Sequence, residues 1–175
     1  MKKLMKTLFV CLILILSGSI AHAQEIEWLS FEEAVAKSKE EPRKLLIDIY
    51  TDWCGWCKKM DRDAYANSHV AEYISKNFYA VKFNAEQTES IEFDGHTFKF
   101  IPQGKRGVHE LAAALTNNKL SYPTTVFMDE NLRIIQPIPG YMNAKSLDPI
   151  LKYIGGDKFK NTKWEDFQKN YQSSL

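Results

Sequence analysis

The chain has 175 residues, 45% of them hydrophobic, and a formal net charge of +1. The length and apolar content fit one domain with a sizeable core, and the nearly balanced charge excludes the broad basic surface that a nucleic-acid partner needs. No block of like charge, low-complexity tract or internal repeat divides the sequence. We therefore expect one compact domain, and a monomer.

The first 23 residues have the layout of a secretory signal peptide. Three lysines precede an apolar run from Leu8 to Leu16, and Ala21-His22-Ala23 supplies a small-residue cleavage site. The run is shorter than the ~20 residues that span a bilayer, which disfavours the alternative of an uncleaved membrane anchor. We expect an exported mature domain of residues 24–175, periplasmic in a Gram-negative bacterium and not inserted in the membrane.

Removal of the leader leaves 20 basic and 22 acidic residues and takes Cys11 with it. Cys54 and Cys57 then remain as the cysteines of the mature chain. A bridge between them closes a very small loop, and loop-closure models give such a bridge little stabilising effect. Redox chemistry is therefore a better explanation of the pair than structural cross-linking.

The first predicted helix and strand follow the leader. Ser30 and Glu33 have the spacing of a capping box, which predicts an amphipathic helix from Phe31 to Lys39. The near-continuous apolar run from Lys44 to Tyr50 predicts a strand that is buried on both faces of a sheet.

The next stretch, from Cys54 to about Lys76, contains no proline and one glycine. It predicts helical structure, with a break and a new cap near Asn67-Ser68. Phe78 to Asn84 is then predicted as a second buried strand.

From Ile91 to Ile101 apolar and polar residues alternate around Asp94-Gly95. This pattern predicts a hairpin with a two-residue turn that pairs Ile91 with Phe98. Four apolar side chains would share one face of it: Ile91, Phe93, Phe98 and Phe100.

The chain continues with a short Ala-rich helix, predicted from Val108 to Leu115, and two antiparallel strands, predicted from Thr124 to Met128 and from Leu132 to Ile138. A helix from Leu147 to Ile154 follows, with Pro149 in its first turn or at a kink.

The last predicted element is a docked C-terminal helix. Thr162 and Glu165 repeat the capping-box spacing, and Trp164, Phe167 and Tyr171 form one stripe. Strands that alternate with helices and end in a hairpin predict an α/β sandwich around a mixed sheet.

The segment Tyr50–Asp61, "YTDWCGWCKKMD", places Cys54 where a buried strand has ended and a helix begins. Unpaired backbone N–H groups and the helix dipole favour a thiolate at that position. Cys54 is therefore the predicted nucleophile. Cys57 lies one turn further along and is the predicted resolving thiol.

The stretch "LLIDIYTDWCGWCK" resembles the strand, loop and helix of the thioredoxin superfamily. Asp48 stands six residues before Cys54, Trp53 directly before it, and Lys58 directly after Cys57. "SYPTTVF" is similar to the family's cis-proline segment, and "AVKFNAEQ" to the strand that carries a lysine beside the buried aspartate. The resemblance covers roughly residues 44–154, and is closest to exported thioredoxin-like proteins of the thioredoxin 7 type and to the soluble thioredoxin-like domain of DsbD.

The resemblance implies a thioredoxin-like sandwich, with an inserted hairpin plus helix and an extra C-terminal helix. It implies that Asp48, with a raised pKa, accepts the proton of Cys57 and that Lys82 tunes Asp48. The alternatives are an Asp48 bonded to loop amides and an exposed Lys82. It also implies that a cis Tyr122-Pro123 bond presents backbone groups to a partner, where a trans proline would open an ordinary strand.

Trp53, Gly55 and Trp56 complete the substrate-binding set that the resemblance implies. Trp53 and Trp56 would form an apolar rim, although Trp56 could instead pack on its own helix. Trp56 stands where thioredoxin has proline, so the direction of the reaction stays open. The insertion, residues 88–118, could form a docking edge for a partner or simply cover the sheet. We favour the second interpretation.

Competing chemistries receive little support. Lys58 follows the second cysteine where c-type haem attachment needs histidine. His69, His96 and His109 lie in separate elements without metal-ligand spacing, and we expect solvent-facing or turn histidines.

We predict a protein-disulfide oxidoreductase, with reduction favoured over oxidation or isomerisation, that needs no cofactor beyond its own disulfide. Its expected partners are protein disulfides and a membrane-bound electron donor. The alternative is a non-catalytic peptide-binding module.

Overall fold

The computed structural model describes residues 25–173 and Leu175. The predicted signal peptide and its cleavage site therefore lie outside the described residues. Among the described residues, none of the helices combines the length and the apolar character needed to cross a bilayer.

The fold is built on a five-stranded mixed sheet with helices on both faces. Its strands are β1 (Trp28–Leu29), β2 (Lys44–Tyr50), β3 (Phe78–Asn84), β8 (Thr124–Met128) and β9 (Ile134–Pro139). They stand in the order β1-β3-β2-β8-β9, in which β1, β2 and β3 are parallel and β8 and β9 are antiparallel to their neighbours. The predicted α/β sandwich around a mixed sheet is confirmed.

Helices cover the two faces of this sheet. The described residues form α1 (Phe31–Glu40), α2 (Gly55–Met60), α3 (Ser68–Asn77), α4 (Glu110–Leu115), α5 (Ala144–Gly155) and α6 (Trp164–Asn170), with a π-helical turn over Asp61–Tyr65. The capping box before α1 is present, since Ser30 and Glu33 exchange both hydrogen bonds. The predicted break in the long helical stretch also occurs, because the side chain of Asn67 caps α3.

Alternation along β2 divides the core into two clusters. Leu45, Ile47 and Ile49 pack with α1 and α4 on one side of the sheet. Leu46 points to the other side, where it packs with Met60 of α2 and Phe127 of β8 in a second cluster. Successive side chains of a strand point to opposite faces, so the cysteine-bearing helix and the even-numbered residues of β2 share one side.

The inserted segment differs from the prediction in its second half. The first hairpin, β4 (Ile91–Phe93) and β5 (His96–Phe98), pairs Ile91 with Phe98 as expected. Phe100, however, does not extend it. It begins a second hairpin, β6 (Phe100–Gln103) and β7 (Arg106–His109), and α4 therefore starts two residues later than predicted.

The C-terminal half also corrects two boundaries. The carboxylate of Asp129 accepts from the backbone N–H groups of Asn131 and Arg133; this turn delays β9 to Ile134. Asn143 caps α5, which starts at Ala144, three residues before the predicted start. Pro149 consequently lies inside the helix rather than in its first turn.

The capping box predicted at Thr162 and Glu165 is wrong. Lys163 occupies the cap position of α6 without a side-chain cap bond, and the carbonyl of Thr162 instead accepts from the hydroxyl of Tyr153, at 2.6 Å. The predicted aromatic stripe does dock the helix, since Tyr153 of α5 lies against the rings of Trp164 and Phe167.

Candidate active site

The cysteine pair lies where the chain leaves β2 and enters α2. Cys54 is the N-cap residue of that helix, and Cys57 lies in its first turn. The two sulfur atoms are joined in a disulfide. The Sγ of Cys54 also accepts a hydrogen bond from the backbone N–H of Cys57, at 3.0 Å. The structure therefore places the predicted nucleophile at the amino end of a helix, where the backbone N–H groups stabilise a thiolate.

The disulfide presents little surface to solvent. Cys54 is 4% exposed and Cys57 is 2% exposed. Gly55, between them, is exposed, and a Cβ placed on it would meet no atom within 4 Å. A partner can therefore approach closely over Gly55.

Asp48 lies beneath this helix, on the face of β2 that carries Leu46. It is 1% exposed. Its Oδ2 accepts from the ammonium group of Lys82, at 2.6 Å, on the neighbouring strand position of β3, whereas its Oδ1 is buried without a hydrogen-bond partner in the described structure. The alternative in which loop amides satisfy Asp48 is not what the structure shows.

The ionisation of this pair is controlled mainly by burial. Burial raises the pKa of Asp48 above its ordinary value, although the charge and hydrogen bond of Lys82 oppose the shift. Burial lowers the pKa of Lys82, but Asp48 and Asp61 together outweigh it and the net pKa is raised. The pKa values of both partners can be raised because the two side chains are buried to different extents. The Asp48 side chain is 1% exposed and that of Lys82 is 21% exposed, so desolvation destabilises the charged carboxylate more than the charged ammonium.

Asp61 is a member of this charge cluster that the sequence analysis did not identify. Its carboxylate forms a second ion pair with Lys82. It follows Cys57 by four residues, which is the spacing of one helical turn. That spacing was the available signal, because it places an acid on the same helix face as the resolving cysteine.

Aromatic rings enclose the ammonium group of Lys82. It lies 4.9 Å from the ring centroid of Trp28 and 5.3 Å from each of Tyr50 and Tyr65. Cation–π contacts at these distances favour the charged ammonium. The lysine is therefore held between two carboxylates and three rings, rather than exposed on a strand.

The segment around Pro123 contacts the residue that precedes the cysteine pair. The Tyr122–Pro123 peptide bond is cis, and Gly140 N–H donates to the carbonyl of Pro123 at 2.8 Å. The ring of Tyr122 contacts the ring of Trp53 edge to face, with centroids 5.9 Å apart. This contact joins Trp53, the residue before Cys54, to the loop before β8.

The two tryptophans form an exposed rim around the disulfide. Trp53 is 51% exposed and Trp56 is 60% exposed. Trp56 does not pack only on its own helix, because its ring lies 5.4 Å from that of Tyr141. The Tyr141 hydroxyl in turn donates to Asp63 at 2.5 Å, which fixes the ring on which Trp56 rests.

Trp53 has two further contacts that the sequence did not indicate. Its indole N–H donates to Glu86 at 2.9 Å. The guanidinium of Arg106, from the second hairpin, lies 4.3 Å from its ring centroid. Neither contact follows from a spacing in the sequence, since both depend on how the loops meet around the helix start.

The histidines do not gather into a site. Among the described residues, no group of three or more His, Cys, Asp or Glu side chains is arranged to hold a metal ion. The expectation of solvent-facing or turn histidines is wrong for His109, which is fully buried. Its Nδ1 accepts from the backbone N–H of Leu111 and caps α4, and its Nε2 donates to the carbonyl of Glu89. These bonds give it a structural role.

Comparisons with known proteins agree with this geometry. The profile of a family described as a thioredoxin-like domain matches residues 31–155. The thiol-disulfide oxidoreductase ResA of Bacillus cereus is 24% identical over 174 residues, which cover 88% of this chain and 99% of ResA.

Two solved structures are similar in fold, each with a TM-score of 0.57. A thioredoxin-fold protein from Helicobacter pylori is 23% identical and the match covers 73% of this chain and 79% of that one. A DsbH oxidoreductase is 17% identical, with 81% and 92% covered. Some curated relatives are far longer, and the chain spans 9% of human spermatogenesis-associated protein 20, to which it is 22% identical over 68 residues.

The family match spans most of the chain, and it includes four of the five strands of the sheet, the cysteine pair and the loop of Pro123. The fold of the two solved relatives agrees with it. The chain belongs to the thioredoxin-like domain family.

Proposed function

We propose that this protein is an exported thiol-disulfide oxidoreductase that reduces disulfides of envelope proteins. The observation that carries the proposal is the Cys54–Cys57 pair at the start of α2, on the same side of the sheet as the buried carboxylate of Asp48. The leader sequence and the likeness to ResA support an extracytoplasmic location.

The reaction begins with the reduced protein. The Cys54 thiolate attacks one sulfur of a client disulfide, a mixed disulfide forms, and the first client sulfur leaves as a thiolate that takes a proton from solvent. Cys57 then gives its proton to Asp48 and attacks the Cys54 sulfur. The Cys54–Cys57 bond forms and the second client sulfur leaves and is protonated. Two electrons pass to the client, and the protein ends as the disulfide.

Asp48 suits the second step because its pKa is raised. A carboxylate with a raised pKa is a stronger base than an ordinary one, and it lies on the side of the sheet that α2 covers. Return to the dithiol form requires a reduced dithiol protein as electron donor, and we propose a membrane-bound one.

Trapping tests the chemistry directly. In the Cys57→Ser variant the second step cannot occur, so mixed disulfides with clients should accumulate through Cys54. Cys54→Ser is the matched control and should accumulate none. Equal, negligible trapping by both variants would overturn the oxidoreductase proposal.

The direction of electron flow needs a separate measurement. Equilibration with glutathione redox buffers should give a potential nearer the ~−270 mV of thioredoxin than the ~−120 mV of DsbA. The buried Asp48–Lys82 pair supports this expectation. A value near the oxidising end would assign the protein to disulfide formation or isomerisation instead.

A second candidate is a peptide-binding module in which the disulfide is a spectator. This alternative is supported by surface features that could bind a peptide: the exposed rings of Trp53 and Trp56 and the open space over Gly55. The trapping experiment separates the two, since a spectator disulfide forms no covalent intermediate.

A further inference from the structure

The second hairpin of the insertion reaches the residue next to the redox pair. Its two-residue turn, Gly104-Lys105, connects Gln103 to Arg106. Arg106 then places its guanidinium over the ring of Trp53, the residue directly before Cys54. The insertion therefore does more than cover the sheet, although Ile91 and Leu111 do pack into the core.

The hairpin is fixed relative to the sheet. The backbone N–H of His109, at the end of β7, donates to the carbonyl of Ala85 at 2.7 Å, just beyond the end of β3. Within the hairpin the ring of Phe100 lies over Gly107, where a Cβ would come 2.1 Å from the ring. The position of Arg106 is thus set by the fold and not by a free loop.

The guanidinium keeps hydrogen-bonding capacity for a partner. Its central carbon lies over the indole ring, and within residues 25–173 it forms no ion pair with a carboxylate. A guanidinium over a ring keeps N–H groups at its edge, and these match both oxygens of a carboxylate. The neighbouring Lys105 is exposed and adds positive charge.

Charge around Trp53 is asymmetric. The indole N–H is already engaged by the carboxylate of Glu86, whereas the ring face is engaged by a cation. A client chain that passes the ring of Trp53 on the hairpin side therefore meets unpaired positive charge. A carboxylate of the client is the group that complements it.

We propose that Arg106 is a specificity-determining residue that selects client disulfides flanked by aspartate or glutamate. The inference rests on the proposed redox function and goes beyond it by naming the chemistry of the preferred client. The second hairpin is then the docking lip of the active site, and the carboxylate it binds lies beside the cysteine under attack.

The test uses synthetic peptides with one internal disulfide that differ only in the residues flanking a cysteine: glutamate, glutamine or lysine. The second-order rate constant of the fully reduced protein with each peptide is measured in a single turnover. An exposed ion pair contributes up to about 1 kcal/mol, so the wild type should prefer the glutamate peptide over the glutamine peptide by about threefold to fivefold.

Variants distinguish two roles of Arg106: recognition of a client carboxylate and support of the Trp53 ring. Arg106→Gln should bring the ratio of glutamate to glutamine rates close to one, and Arg106→Glu should reverse the preference toward lysine. Arg133→Gln is the matched control, because Arg133 is exposed after β8, near the end of the sheet remote from Pro123, and it should keep the wild-type ratio. Salt of about 0.5 M should reduce the preference of the wild type.

A wild type that reduces the three peptides at equal rates overturns the proposal. So does an Arg106→Gln variant that loses rate equally on all three, since that result assigns Arg106 to positioning Trp53. If the wild type reduces none of the three peptides, the proposed redox function is wrong. The role of Arg106 in docking is then tested by measuring peptide binding. The Cys54→Ser, Cys57→Ser double variant should then bind the glutamate peptide about threefold to fivefold more tightly than the glutamine peptide, and equal affinities overturn the inference.

Discussion

The two sides of the cysteine pair differ in kind. Below α2 lies a buried charge cluster, in which Asp48 is 1% exposed and shares Lys82 with Asp61. Above it lies an exposed rim, in which Trp53 and Trp56 are more than half exposed.

Buried charges change proton transfer and stability, because desolvation acts on them fully. Exposed rings change which partner binds. We therefore expect substitutions below the helix to alter rate and pH dependence, and those above it to alter recognition.

The largest expected effect comes from Asp48→Asn. Without the base, Cys57 loses its proton acceptor, and general base catalysis typically contributes at least ~100-fold. The rate at which mixed disulfides resolve at neutral pH should fall by about that factor. In the wild type the same rate should fall as the pH drops through the raised pKa of Asp48, above the ordinary value of 3.8, and the variant should lack this dependence.

Asp61→Asn is the matched control for that measurement. Its side chain is 43% exposed and it also contacts Lys82, so it should slow resolution much less. An equal effect of both substitutions would show that Lys82 placement, and not proton transfer by Asp48, limits the step.

The second expected effect is on stability. The pKa of Asp48 is raised on folding, so the folded state holds this proton more tightly than the unfolded chain. That contribution is fully present below the ordinary carboxyl range and is lost as the pH rises through the folded-state pKa. Asparagine cannot ionise, and Lys82 keeps Asp61 as its partner. Asp48→Asn should therefore raise the free energy of unfolding at pH 8, by about 1.4 kcal/mol for each unit by which folding raises that pKa.

Urea unfolding of the oxidised proteins at pH 8 and pH 4 measures this difference. The gain should be smaller at pH 4, because more of the wild-type carboxyl is protonated there than at pH 8. A variant that is less stable than the wild type at pH 8 would contradict the account, since it would mean that the ion pair outweighs the burial of the carboxylate.

The rim should give a smaller effect, mainly on protein clients. Trp53 is held by Glu86, Tyr122 and Arg106, whereas Trp56 rests on Tyr141. A well-held ring is a better binding anchor. Trp53→Ala should lower kcat/KM for a protein disulfide by about tenfold, or ~1.4 kcal/mol.

Trp56→Ala should lower the same constant by about threefold, the smallest of these effects. A small soluble disulfide, which touches only the sulfur, serves as the control substrate and should react at nearly the wild-type rate with both variants. Equal losses on small and protein disulfides would mean that the rings support the helix and not the client.

The sequence predicted the centre of the fold better than its edges. Lys44–Tyr50 and Phe78–Asn84 have the predicted bounds because a strand buried on both faces needs an apolar run that a helix or loop does not. The second hairpin was missed because Pro102 and Gly107 in its strands, and Gly104 in its turn, give the segment a loop-like composition. Its pairing depends on Phe100 packing over Gly107.

The same distinction holds for the site. Cys54, Cys57 and Asp48 lie in one short stretch of chain, where spacing and the resemblance identify them together. Asp61 shares only a helix face with Cys57. Arg106 reaches Trp53 from 53 positions along the sequence through a tertiary contact, which local pattern cannot indicate.

The central claim is that the start of α2 stabilises Cys54 as a thiolate, and the pH dependence of its alkylation tests this most directly. The Cys57→Ala variant isolates Cys54, and the midpoint of the rate profile reports the pKa of its thiol, whereas hindered access to the sulfur lowers the rate at every pH alike. The account predicts a midpoint at or below about 7.5, against about 8.5 for free cysteine. A midpoint at or above that of free cysteine would contradict it.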